Sequence, residues 1–298
     1  MHAVMYTKSS ALYTNFTSAY PPTMDTHLAM LILMLVSIAA GCLGALTGLG
    51  GGVVIMPVLI IGFGVDVRYA IGASLVAVIA TSSGSAAAYV RDGFTNVRLG
   101  ILLEVATVAG AIVGALIAAY VNTDAIIVLF VCALFYSAHA TLRPPASRPI
   151  DLIPDPLATR LKLNSSYPTS KGDTPYSVHN VPGGLLLMGG AGVLSAMVGI
   201  GSGIVKVFAM DRLMRLPFKV STTTSNFMIG VTAAASSAVY LHRGQIEPQI
   251  AGPVAFGALI GALVGARILP RVNTYWLRRI FACVVIVSGI ELVRRTFT

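Results

Sequence analysis

Two short stretches of this chain hold the residues best placed to do chemistry: Gly48-Leu49-Gly50-Gly51-Gly52 and, 151 residues later, Gly199-Ile200-Gly201-Ser202-Gly203. Each lies at the end of an apolar run. Four glycine or small residues within five positions break a helix, and a break inside lipid leaves backbone N–H groups that no water can satisfy. Those groups, at the start of the segment after the break and at the positive end of its dipole, suit a dehydrated anion. Glycine lets the anion come close. Ser74 after the first break, and Thr222, Thr223, Ser225 and Asn226 after the second, add neutral donors that bind without trapping. Serine and threonine in membrane helices also bond to their own preceding carbonyls or join helices, so each has a purely structural reading as well.

Two charged residues stand inside apolar runs. Lys206, three residues past Gly203, reads as an attractor for the anion or as a side chain snorkelling to a face, with Asp211 and Arg212 marking an interface nearby. Glu104, seven residues into the run that begins at Val97, is expected to pair with Arg98 or Arg91 near the surface. The alternative is a proton site that couples anion movement to a gradient. The candidate substrate site is therefore Gly48, Gly50, Gly51, Gly52, Ser74, Gly199, Gly201, Ser202, Gly203, Lys206, Thr222, Thr223, Ser225 and Asn226, with Glu104 the candidate for proton coupling.

Composition says what must position these groups. Hydrophobic residues make up 56% of the 298 and charged residues only 10%, against about 25% charged in an ordinary soluble domain. Mean hydropathy is +0.82. This is the composition of an integral, multi-pass membrane protein, and a plasma (cell inner) membrane is the expected location. The net charge of +9 comes from Lys and Arg gathered between apolar segments, which reads as a topology signal and not as a nucleic-acid surface. Cys42, Cys132 and Cys283 all fall in apolar segments with no CxxC pair, so neither a disulfide framework nor a zinc site is expected. No cofactor or metal is expected, and no HExxH, paired-carboxylate or Ser/His/Asp constellation supports an enzyme. A nucleotide loop is excluded because no GK[ST] follows the glycines.

An internal repeat sets the architecture. At the same offset of 151, and without a gap, Ser74 matches Ser225, Tyr89 matches Tyr240, Gly93 matches Gly244 and Gly110 matches Gly261. The register continues through Val113-Gly114-Ala115 to Cys132 and Ser137. Residues 1–26 read as a tail, 27–142 as a first transmembrane repeat, 143–181 as a hydrophilic linker and 182–295 as a second repeat. Each repeat holds an apolar run, the glycine break, a short run and three more spans. The short run reaches only about 18 Å as helix, so the break is expected to be the tip of a hairpin. The second half is then inverted, and fourteen of the basic residues fall on the linker's face against five on the other, with Lys206 left out. The linker is cytoplasmic on that count. Two hairpins entering from opposite faces would meet near the bilayer midplane, where inverted-repeat transporters hold substrate. Gly110-xxx-Gly114 and Gly257-xxx-Gly261-xxx-Gly265 have the spacing of helix packing.

Apolar run, Gly44-xxx-Gly48-x-Gly50-Gly51-Gly52, Pro57, Ala70-Ile71-Gly72-Ala73-Ser74 and Tyr89-xxx-Gly93, a pattern that returns with substitutions in the second half, resemble the TauE/SafE family of sulfite and organosulfonate exporters over roughly 28–142 and 182–295. The resemblance implies an all-α integral membrane permease for small anions, commonly sulfur oxyanions or sulfonates. A passive anion channel and an intramembrane enzyme are the alternatives. The partners expected are the anion, the bilayer and, in some form, a second copy of the chain. The halves differ in chemistry. Ser202 stands for Gly51, Lys206 for Ile55 and Phe208 for Pro57, while Ser221–Asn226 is more polar than Ala70–Leu75, so the site is expected to be asymmetric.

Overall fold

The structure is a computed structural model that describes residues 26–142, 155–169, 172–199, 201–268 and 274–297. The tail, apart from Thr26, and the first part of the linker lie outside these. The first repeat consists of α1 (Thr26–Thr47), α2 (Gly52–Pro57), α3 (Val67–Arg91), α4 (Val97–Ile117) and α5 (Thr123–Leu142). Between the repeats come α6 (Pro156–Arg160) and an antiparallel hairpin of β1 (Ser165–Thr169) and β2 (Gly172–Tyr176). The second repeat follows as α7 (Val181–Val198), α8 (Gly203–Phe208), α9 (Phe218–His242), α10 (Pro248–Ile268) and α11 (Thr274–Phe297).

The element boundaries repeat at the sequence offset: α2, α3 and α4 begin and end 151 residues before α8, α9 and α10. Both short helices widen into a π-helical turn, Val58–Gly62 and Ala209–Leu213. A proline at the end of α2 would explain the first widening by its missing donor. Phe208 stands at that place in α8, so the turn belongs to the architecture and not to Pro57. Helix starts are capped by short polar side chains: Asp66 accepts from Arg68 N, Asn96 from Leu99 N and Asn180 from Gly183 N.

Helices pack in pairs that exchange between the halves: α1 with α10, α4 with α7, and α3 with α9. The spaced glycines make the close approaches, as their spacing predicts. A Cβ added at Gly261 would strike Ile38 O, and one added at Gly110 would strike Gly189 O. Contacts of Gly257 with Met34, Gly261 with Ile38 and Gly265 with Cys42 rise together along both helices, so α1 and α10 run parallel. In α3 and α9 the order is reversed. Thr223 near the start of α9 donates to Phe94 O just past the end of α3, while Gly72 near the start of α3 abuts Gln245 O past the end of α9.

At each break the chain folds back against the helix before it. Gly51 lies against Gly44, Gly41 and Ala40 of the helix that precedes it. At the second, Met214 past the π-helical turn packs on Gly184 in the first turn of α7, and His179 N donates to Met214 O.

Burial is arranged as lipid requires. Leu31, Leu35, Ile101, Val105, Phe256 and Val287 are exposed on the rim, whereas Ser74, Thr81, Ser85, Thr107, Ser225 and Thr232 are buried inside. Among the described residues, five helices are long and apolar enough to cross a membrane: α3, α4, α7, α10 and His27–Thr47 of α1. The second part of the 143–181 segment is folded against the helices. Ala158, Leu163, Tyr176 and Val178 are buried in one cluster with Leu99, Leu103, Met188 and Met214.

Tyr176 shows how this cap is docked. Asn96 Nδ2 donates to Tyr176 OH at 3.0 Å and to Leu163 O at 2.8 Å. Burial raises the Tyr176 hydroxyl above its ordinary value of 10.0. Because the docked phenol ionises later than the free one, its contribution is complete below about pH 10 and fades as pH rises through the docked value. Tyr176→Phe removes a buried hydrogen bond worth about 1 kcal/mol and leaves Asn96 partly unsatisfied. Limited proteolysis of the 155–181 segment at neutral pH should be faster in the variant, and in the wild type it should speed up as pH passes about 10.

Candidate functional site

The two glycine breaks lie against each other. A Cβ at Gly203 would stand 2.9 Å from both Gly48 O and Leu49 Cα, and one at Gly52 would stand 2.9 Å from Gly199 O. At each break the backbone needs the left-handed region, with φ of +76° and +78° at Gly48 and Gly50 and +71° and +78° at Gly199 and Gly201. The first helix ladder ends where Leu49 N reaches Gly44 O and resumes where Val54 N and Ile55 N reach Gly51 O. The N–H groups from Gly50 to Val53 therefore have no carbonyl one turn back within the ladder. Val78 and Ile229, equivalent in the two halves and both fully buried, pack against Gly50 and Gly201 and fill the centre.

Serines brace the breaks. Ser74 Oγ donates to Gly199 O at 2.6 Å and lies 3.4 Å from Gly52 O, and Ser225 Oγ donates to Gly203 O at 3.2 Å. Thr222 Oγ1 bonds back to Phe218 O at 2.9 Å while its methyl meets Gly48. Thr223 Oγ1 donates to Phe94 O at 2.9 Å, away from the breaks. All four hydroxyls are thus given to backbone carbonyls instead of standing free. Asn226 keeps an unpartnered Oδ1, and its Nδ2 reaches Ala45 O at 3.5 Å. The buried hydroxyl of Ser202, at the start of α8 with φ +49°, has no hydrogen-bond partner.

Glu104 is not paired with Arg98 or Arg91. Arg91 Nε contacts the exposed Asp92, while Glu104 Oε2 lies 3.4 Å from Lys206 Nζ. The reason is direction: Glu104 points inward from α4 toward α8, where Lys206 is fully buried and does not snorkel. Thr232 of α9 joins them, accepting from Lys206 Nζ and donating to Glu104 Oε1. Lys206 stands one turn beyond Gly203, and Thr232 one turn beyond Ile229. This ion pair therefore lies beside the place where the breaks meet.

Thr232 was not among the expected residues. Its signal was present, since the same offset matches it to Thr81. Ser82 was missed too: its Oγ donates to Asn226 O and accepts from Gly230 N at 3.0 Å, tying α3 to α9. Tyr89 OH and Tyr240 OH cap Ala45 O and Ala196 O, near the ends of α1 and α7.

The family model for sulfite exporter TauE/SafE matches residues 33–292. The chain belongs to the TauE/SafE family. Among curated proteins it is similar to the probable membrane transporter protein YunE of Bacillus subtilis (strain 168), 26% identical over 273 residues, which is 89% of this chain and 98% of that protein. No solved structure matches it. Membership in the TauE/SafE family, with apolar helices around a polar interior, makes this chain an integral multi-pass membrane transporter.

Proposed function

We propose that this chain is a secondary transporter of small anions, sulfite or organosulfonates, whose two halves are inverted repeats rocking around a site between the glycine breaks. The observation that carries the reading is the contact of the breaks at Gly48–Gly203 and Gly52–Gly199 with the Lys206 ammonium one turn away. Inversion is supported by the antiparallel course of α3 and α9, by the parallel course of α1 and α10, and by the return of the chain to the start of α7 after the second break. The N–H groups after Gly50 that the helix ladder leaves without a carbonyl, the free Ser202 hydroxyl and Lys206 supply donors to a desolvated anion. The filled centre around Val78 and Ile229 favours an occluded carrier over an open channel.

The test is uptake of radiolabelled sulfite, sulfoacetate and taurine into proteoliposomes of the purified chain, with and without an imposed proton gradient. Saturable uptake of one or more of them is expected. Folded protein that moves none of them under either condition overturns the sulfur-anion reading.

A further inference from the structure

The two halves match element by element, yet the ion pair exists in only one of them. The positions equivalent to Lys206 and Glu104 are Ile55 and Ala255. Ile55 is fully packed in α2, so the same architecture closes around an apolar residue there. The fold does not need the pair, and a buried pair gives no stability beyond well-packed apolar residues. Thr232 has two acceptors for its hydroxyl hydrogen, Glu104 Oε1 and, at 3.2 Å, Met228 O. Its equivalent Thr81, with no carboxylate to serve, donates to Ala77 O at 2.8 Å, the matching carbonyl. Thr232 is therefore built to donate to an ionised Glu104 or, when Glu104 carries a proton and donates instead, to turn to Met228 O.

We propose that Glu104 and the transported anion compete for Lys206, so that each monovalent anion is carried with one proton, taken up on Glu104. This rests on the transport reading above. In the structure Glu104 neutralises Lys206. An anion entering from the breaks meets the Ser202 hydroxyl and, one turn on, the Lys206 ammonium, and takes the place of the carboxylate. Glu104 then accepts a proton from water and donates to Thr232. The charges balance: ammonium and carboxylate plus anion and proton become ammonium and anion plus carboxylic acid, neutral before and after. Returning the proton lets Glu104 recapture Lys206 and expels the anion. Few other charges bear on the exchange. Along Val181–Val198 α7 has none, though His179 precedes it; α9 has Lys219 and His242 only at its ends, and α3 has Arg68 and Arg91 only at its ends. Asp211, further along the α8 segment, lies 3.5 Å from Arg212, and Arg98 on α4 is exposed.

The test uses methanesulfonate, whose charge does not change near neutral pH, alongside sulfite, in proteoliposomes holding a pH dye and a clamped membrane potential. Wild-type flux is expected to acidify the compartment the anion enters, one proton per methanesulfonate, and to be insensitive to the potential. Anion flux that follows the potential without proton movement overturns the proposal and leaves the transport reading standing. Absence of any flux from folded protein overturns both. In Glu104→Gln the proton movement is expected to disappear and any anion flux to follow the potential. Proton-coupled flux persisting in Glu104→Gln removes Glu104 from the role. If Glu104→Gln is folded but inactive, Glu104→Asp decides: coupled flux with a shifted pH profile supports the exchange, and uncoupled flux overturns it.

Discussion

Glu104→Ala destabilises the detergent-solubilised protein by about 3–5 kcal/mol, and adding Lys206→Ile to it recovers most of that loss. Removing the carboxylate leaves the fully buried ammonium with only the Thr232 hydroxyl, in surroundings that penalise an uncompensated charge heavily. The double variant installs at 206 and 104 the residues that the other half carries at 55 and 255, so each has a packing precedent in the same architecture. Thermal unfolding of the wild type, both single variants and the double variant forms a cycle. A coupling of several kcal/mol is expected. Additive effects would show that the two groups do not depend on each other, and would remove the pair from the site.

The second large effect is on transport. Gly203→Ala puts a methyl 2.9 Å from Gly48 O and Leu49 Cα, which are backbone atoms of the opposite break, and 2.7 Å from Ile229 Cδ1. Ile229 can turn aside, but the backbone of the first break cannot yield without the two breaks separating. Overpacking of this kind costs about 1–3 kcal/mol, and uptake falls about tenfold for each roughly 1.4 kcal/mol by which the site is displaced. Gly190→Ala is the control. It lies within α7 with nothing inside 4 Å of its added methyl, and its uptake should match the wild type. Equal uptake by Gly203→Ala and Gly190→Ala would mean that the contact between the breaks plays no part in transport.

The linker separates what local pattern reveals from what it hides. Its Pro, Ser and Asp content reads as an exposed connection, yet Leu163, Tyr176 and Val178 bury themselves against the ends of α4 and α7. Nothing in a short hairpin of polar composition and its flanks announces that burial, because the partners, Leu99, Leu103 and Met188, are distant in sequence. Membrane spans are the opposite case. Lipid leaves the backbone no choice but to satisfy itself within each helix, so a run of apolar residues and its length suffice.

The same division holds at the candidate site. From the sequence alone came the membrane setting, the apolar helical segments, the glycine breaks, the 151-residue offset and the inward glycines of α4 and α10, because each is a property of local composition or spacing. The chemical identities of Lys206 and Glu104 were also legible, and so was their lack of counterparts in the other half. Only the tertiary structure decided that these two meet, that Thr232 lies between them, and that Ser74 and Ser225 brace the breaks. Glu104 had basic residues close by in sequence, and local reasoning gave it to them. The packing of α4 beside α7, α8 and α9 turned it inward to Lys206, 102 residues away, since a buried charge takes the partner that the fold brings to it and not the one that the chain supplies nearby.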